Sequence, residues 1–462
     1  MAAAARGPVA GTADPDYAAI VGRIVGYELV EGRAWEVLSH LTDRIGPRLS
    51  GSPGAEAAVR WTHERLQADG LQARLEPVKV PHWVRGVEAA EVVDPVAQRL
   101  VVTALGGSVA TPEDGVTAEV VEALGLEGLQ ALDDAAVRGR IVLFNRGMAA
   151  GDAFEGYGAV SPQRTRGAAA AARRGAVAVL VRSIGTLNAR IVHTGAVTYE
   201  EGAPPIPAAA VTAEDADLLH RLVAGGRAPR VRLRLGCQLL PESDSFNVVA
   251  DLPGRTQPDE VVVIGAHLDS WDLGTGALDD GAGVAMVMES LRLLKAQGLV
   301  PRRTIRGVLF MNEENGLRGS KAYAAAHAAE LERHVAALEA DSGGDTPQGF
   351  AALVGEGGVP VLETVVRLLE PVGPRRVRPV TRSPGADIGA LREARVPLLG
   401  MELNAGRYFD WHHTPGDTLD KVDAGNLARA TAAMAAMAYV LADMPAALPR
   451  PPAPSPSPSP SP

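Results

Sequence analysis

The stretch VVVIGAHLDSWDLGTGALDDGAGVAMVMESLRLL (261–294) decides the fold. It opens with an uninterrupted apolar, β-branched run, the pattern of a strand buried on both faces. The run ends at His267-Leu268-Asp269, passes through the tight Asp279-Asp280-Gly281-Ala282-Gly283 turn, and continues at 284–296 with the spacing of an amphipathic helix. Working outward, 247–251, 260–265, 304–312, 335–340 and 396–403 read as strands. Residues 318–327, 361–369 and 425–442 read as helices. Alternating elements of these lengths predict an α/β fold with a mixed, mostly parallel sheet and helices on both faces.

Upstream, 35–71 reads as helices around the turn-rich RIGPRLSGS (44–52), with Ser52 as an N-cap, followed by a strand at 72–80 that ends at Pro81. From about 85 to 240 the texture changes. Short β-rich runs at 99–105, 140–144 and 176–181 alternate with Gly, Pro and an Ala-rich helix at 167–174, which reads as a separate β-rich or small α/β module. The expected organisation is a loose N-terminus (1–15), the first part of a main domain (16–86), an insert (87–241), the second part of the main domain (242–448) and a disordered Pro-Ser tail (449–462).

Composition narrows the function classes. The 462 residues carry 45 Lys and Arg against 55 Asp and Glu, a net charge of −10, which disfavours a nucleic-acid partner. Aromatics are 4%, so the core must be built from Ala, Val and Leu. The single cysteine, Cys237, rules out an intrachain disulfide and any multi-cysteine zinc cluster; it reads as a small buried hydrophobe. No segment has the roughly 18–20 apolar residues of a membrane span. The N-terminus lacks the apolar segment of a signal peptide, which leaves a cytoplasmic location open.

In an open α/β sheet, ligands bind at the carboxyl ends of the strands. Four strand ends here carry metal-type or titratable residues: His267 and Asp269, Glu313 and Glu314, Asp341, and the Tyr408–Asp417 loop with His412 and His413. Asp279 and Asp280 lie between the first strand and its helix. Each alone is unremarkable, since Asp279 or Asp280 could be an N-cap and Glu313-Glu314 a surface pair. Together on one rim they would repel or be costly to desolvate without a cation. The ligand set His267, Asp279, Glu314, Asp341 and His413 is too large for one tetrahedral ion that keeps a position open, and suits two ions sharing Asp279. Zinc is the default metal for such mixed N/O donors, with Co²⁺ or Mn²⁺ also acceptable. Glu313, beside a ligand, is placed to act as general base on a water between the ions. Asp269 is placed to accept from the other ring nitrogen of His267 and fix its tautomer. Of the two adjacent histidines, His413 fits the ligand spacing, and His412 reads as a neighbour lining the site.

The motifs HLDSWD (267–272), GALDDGAG (276–283), MNEENGLRGS (311–320), ALEADSG (337–343) and HHTPGDT (412–418) resemble the co-catalytic zinc peptidases that include bacterial secreted aminopeptidases and glutamate carboxypeptidases. IGPRLSGS (45–52), LEPVKVPHWVRG (75–86), HTG (193–195) and SDSFNVVA (243–250) extend the likeness to about 17–449. The resemblance implies the zinc exopeptidase fold with a protease-associated insert roofing the site. It implies two zinc ions per chain on the same five residues, Glu313 as catalytic base, and a cis peptide between Asp279 and Asp280. It also implies export to an extracellular or periplasmic location, and a homodimer. Tyr408, Asp387 and His193 are candidate substrate-binding residues by the same likeness; packing roles for them stay open. The expected activity is hydrolysis of small peptides, in particular dipeptides with free termini, with no membrane partner. The alternatives are an aminopeptidase on longer peptides, a single-zinc glutaminyl cyclase, and a non-catalytic receptor-like scaffold.

Overall fold

Alternate residues of the 261–266 run point to opposite sides of a sheet. Val262, Ile264 and Ala266 join one apolar cluster, while Val261 and Val263 join another on the far face. The computed structural model describes residues 16–149 and 153–453. Within it the strand Gln257–His267 lies near the middle of an eight-stranded sheet. The order is Gln72–Val84, Gln238–Leu252, Arg303–Phe310, Gln257–His267, His334–Glu339, Leu398–Leu403, Pro347–Leu353 and Arg376–Pro379. The central pairings are parallel, and antiparallel pairings flank them on both sides. The sheet is therefore mixed, as expected, although the strands at 347–353 and 376–379 were not foreseen.

Three expectations are corrected. The helix Ala282–Ala296 is not amphipathic in use: Ala282 through Leu294 are buried, because Ala424–Asp443 and Tyr17–Glu31 pack over its outer side. Its charged residues there, Glu289 and Arg292, are paired at 2.5 Å. The strand expected to stop at Pro81 continues to Val84 and pairs with Gln238–Leu252, its register shifting between Val80 and His82. A proline is tolerated at such an irregularity on an edge strand because no ladder N–H is needed there. The tail expected from 449 begins docked: Gly355 N donates to Pro449 O (2.8 Å), and Arg450 Nη1 donates to Ala394 O (2.9 Å). The stretches 1–15 and 454–462 lie outside the described residues.

A second eight-stranded sheet is built entirely from 88–235, in the order Gln98–Leu100, Glu88–Asp94, Arg230–Leu235, Val116–Ala123, Ile141–Phe144, Ala178–Arg182, Ala208–Val211 and Val102–Ala104. Its cores are largely Ala, Val and Leu. Gly106 meets the main sheet so closely that a Cβ there would lie 1.9 Å from the Trp271 ring, and Arg85 ties the junction to Asp272 at 2.5 Å. No helix of the described residues is long and apolar enough to cross a membrane.

Candidate metal centre

The predicted ligands gather at the carboxyl ends of the strands, Glu314 and Asp341 a few residues past Arg303–Phe310 and His334–Glu339, and Asp279 and His413 on longer connections. His267 closes Gln257–His267, and its Nδ1 lies 2.9 Å from the Asp269 main-chain oxygen. A carbonyl only accepts, so Nδ1 donates, and Nε2 is the nitrogen left to bind a cation in place of a proton. Asp269 thus fixes the tautomer through its backbone, and the expected side-chain bond is replaced by another task. The buried Asp269 carboxylate accepts from the main-chain N of Asn312 (2.7 Å), Glu313 (3.0 Å) and Glu314 (3.4 Å) and from Ser50 Oγ (3.2 Å). That carboxylate is the clamp that presents the Glu313-Glu314 pair.

The turn carrying Asp279 is held from both sides. Asp417 accepts from Leu278 N (2.6 Å) and Asp279 N (3.2 Å), and Asp280 accepts from His267 N (3.1 Å) and Gly283 N (3.0 Å). Asp280, just before the N-cap Gly281, thus supports the first turn of the helix through Gly283 N, and Asp279 is free of that duty. The Asp279-Asp280 peptide is cis, as the resemblance implied. Gly283 is needed for close approach, since a Cβ would lie 2.3 Å from Ala340 O. The fully buried Arg48 laces the loop by donating to the carbonyls of Leu268 (2.8 Å), Thr275 (2.7 Å) and Gly276 (2.9 Å). The sequence reading gave Arg48 and Asp417 no role and offered Asp280 only as an N-cap, because their partners are main-chain atoms that no motif spacing reveals.

The donor atoms converge. His267 Nε2 is 3.0 Å from Asp279 Oδ1 and 3.6 Å from Asp341 Oδ1. His413 Nε2 is 3.2 Å from Asp279 Oδ2 and 3.1 Å from Glu314 Oε2. Asp279 thus turns one oxygen toward each group. Two donors bound at about 2.0–2.1 Å to a tetrahedral ion lie roughly 3.3 Å apart, so these separations are those of ligand atoms around cations. Asp279 Oδ2 and Glu314 Oε1 are buried without a hydrogen bond. The residues fit zinc in donor type, spacing and unsatisfied lone pairs. His412 is closer to the centre than expected: its ring stacks on His413 at 3.6 Å and its Nε2 is 3.4 Å from Asp279 Oδ2.

The protein's own charges register the same strain. Burial alone would push Asp279 up, but the facing imidazoles of His267 and His413 hold it well below the usual carboxylate range. Burial alone would lower His267 and His413, yet the facing carboxylates hold both well above the usual imidazole value. Burial and the Asp279 charge raise Glu314 to about 7. Glu313, which ligates nothing here, is pushed well up, chiefly by burial. Protons on the imidazoles balance the acids, and a cation binding the same lone pairs would displace them.

The centre opens on a cavity of about 530 Å³ lined by Asp279, Glu313, Glu314, Asp341, Tyr408 and both histidines, and by Tyr157 and Arg164 of the second sheet's unit. Tyr408 thus faces the cavity. His193 is not in the lining: it is buried and bonded through Nδ1 to the His412 carbonyl at 2.9 Å. Asp387 is likewise buried, beside Glu339, whose carboxylate accepts from the main-chain N of Ala386 (2.9 Å) and Ile388 (2.8 Å). The helix Ala153–Thr165, which brings in Tyr157 and Arg164, escaped the sequence reading. Gly156, Gly158 and Pro162 mask its pattern.

Comparison with known proteins gives matches over both the core and the whole length. The model of "Peptidase family M28" matches residues 247–438. Carboxypeptidase Q of Mus musculus is 37% identical over 94% of this chain and 91% of its own length. A crystal structure of a peptidase M28 precursor from Shewanella amazonensis SB2B is 39% identical and superposes with a TM-score of 0.91, covering 94% of this chain and 99% of that one. A zinc aminopeptidase from Bacillus subtilis, 19% identical with a TM-score of 0.65, covers 89% of this chain and 95% of that one and shares the fold.

Proposed function

The chain belongs to peptidase family M28 and is a zinc exopeptidase, and from that premise we propose that it cleaves small peptides, in particular dipeptides with free termini. The observation that carries the reading is the shared Asp279, with one oxygen facing His267 and Asp341 and the other facing His413 and Glu314. We assign these five residues to two zinc ions. Bound zinc supplies Lewis-acid polarisation of a carbonyl oxygen and makes water more acidic.

The remaining work falls to side chains. Glu313 is presented at the cavity wall by the Asp269 clamp on its amide. It takes the proton of the attacking water and returns it to the leaving amine. Its raised affinity for a proton suits both steps. Tyr408, in the cavity wall, donates to the developing oxyanion. Asp269 and Asp417 hold the loops in place, and the 87–241 unit acts as the roof. A cavity of about 530 Å³ is within the roughly 300–1,000 Å³ range of small-ligand sites, which favours short substrates over folded chains.

The test is Glu313→Gln. It should retain two zinc ions per chain by elemental analysis while turnover of a dipeptide falls about 10²–10⁴-fold. Unchanged turnover would overturn the assignment of the base. One ion per chain in the wild type would favour the cyclase alternative.

A further inference from the structure

The HTG segment (193–195) has no part in the proposed chemistry, although the resemblance made His193 a candidate for substrate. The structure gives it another partner. The segment lies in the loop after Ala178–Arg182 of the second sheet and is tied to that unit. His193 N donates to Ser183 Oγ (3.0 Å), Thr194 Oγ1 donates to Ala104 O (3.0 Å), and Gly195 O accepts from Gly106 N (3.0 Å). His193 and Thr194 are both buried.

From that anchorage the segment grips the loop that carries His413. His193 Nδ1 donates to His412 O (2.9 Å), and Thr194 N donates to His413 O (2.9 Å). Thr194 O in turn lies 3.3 Å from His413 Nδ1. Arg164 Nη1, 3.2 Å from the same oxygen and 3.4 Å from Nδ1, has no lone pair and cannot be the acceptor for an imidazole N–H. The His413 Nδ1–H therefore donates to Thr194 O, and Nε2, facing Asp279 and Glu314, is the nitrogen left for a cation.

His413 needs such a grip. Its φ is +62°, a left-handed conformation that a residue with a Cβ keeps only where its surroundings impose it. Three other ligands are held from within the main domain: His267 N by Asp280, Asp279 N by Asp417 and Glu314 N by Asp269. His413 is held across the junction, by main-chain and imidazole groups of the second sheet's unit.

We propose that His193 and Thr194 are positioning residues of the metal centre, and that through them the second sheet's unit sets the affinity for the zinc ion assigned to His413 and Glu314. The inference rests on the two-ion reading above and makes the roof a working part of one of the two sites.

The experiment titrates zinc into the metal-depleted protein against a chromophoric chelator, which reads both affinities without turnover. His193→Phe removes the donor to His412 O. It should weaken one affinity about 10–100-fold, the usual effect of losing a group that orients a ligand, and leave the other at the wild-type value. His193→Asn, which keeps an N–H near the place of Nδ1, should restore most of the loss. Asp341→Asn marks the other ion, so the double variant with His193→Phe should show both affinities lowered. A His193→Phe protein with both affinities unchanged, or with both lowered alike, overturns the proposal, as does a double variant in which only one affinity falls. Should His193→Phe fail to fold, Ser183→Ala, which takes the acceptor from His193 N, should weaken the same affinity to a smaller degree, and two unchanged affinities there overturn the proposal as well. A wild type that binds a single zinc ion overturns the two-ion reading and the proposal together.

Discussion

Two buried carboxylate sites, one in each sheet's unit, are treated in opposite ways. In the second sheet's unit, Asp215 is 2% exposed and locally satisfied, accepting from Val101 N at 2.7 Å and from Arg190 Nη2 at 3.2 Å. In the main sheet, Asp279 and Glu314 are buried with oxygens that make no hydrogen bond. Burying a carboxylate without compensation costs several kcal/mol. A carboxylate satisfied by its own chain is a structural part. One left for an external cation is a functional part, and at the metal centre such acids stand beside chain-satisfied ones, Asp269 and Asp417, that hold the loops.

The sharpest way to break that contrast is to remove the cation. Chelation should abolish peptide hydrolysis and also lower thermal stability, because the acids at the rim lose their counter-charge. A ligand bound only by the folded state at a thousandfold excess over its Kd contributes about 4 kcal/mol. Zinc should restore both activity and melting temperature. A chelated protein whose melting temperature does not move would show that protons on His267 and His413 balance the acids as well as metal does.

Asp215→Asn probes the other side of the contrast with a smaller effect. It removes a charge-assisted bond from the second sheet's unit, worth roughly 1.5–3 kcal/mol. Denaturant melts should show the loss, while zinc content and kcat/KM stay at wild-type values. A drop in zinc content would mean that the roof transmits its stability to the centre, a route that exists through Thr194 N, which donates to His413 O at 2.9 Å.

How far the molecule can be read from its sequence follows the same division. The main sheet and the rim residues His267, Asp279, Glu313, Glu314, Asp341 and His413 were legible because metal-type side chains recur at the ends of apolar strand runs. The flanking strand Pro347–Leu353 and the edge strand Arg376–Pro379 were not, since short strands carry little alternation and depend on pairing with distant residues. Asp269 was assigned to the right histidine through the wrong atom: spacing shows who is near, and main-chain carbonyls and amides have no letter in a sequence. Arg164 was invisible for a related reason. Its helix is broken up by Gly156, Gly158 and Pro162, so no periodic pattern marks the side chain it brings to the cavity.

A third treatment of a buried carboxyl, neither paired nor left for metal, sits in the helix layer and gives the smallest effect. Glu28, on Tyr17–Glu31, is 2% exposed and packed by Glu289, whose own charge is taken by Arg292. Burial first, and then the Glu289 charge, raise Glu28 to about 9 from the ordinary 4.5. A carboxyl raised in the folded state keeps its proton while the unfolded chain loses it. The resulting stability is therefore fully present below about 4.5 and is lost progressively as pH rises toward about 9. The slope is at most about 1.4 kcal/mol per pH unit. Glu28→Gln, shaped like the protonated acid, should match the wild type near pH 5 and become the more stable of the two step by step toward pH 8 in denaturant melts. A wild-type to variant difference that stays flat across that range would mean the carboxyl is ionised in the fold, with Arg292 shared between two acids, and the main sheet's helix layer would then satisfy its carboxylates as the second sheet does.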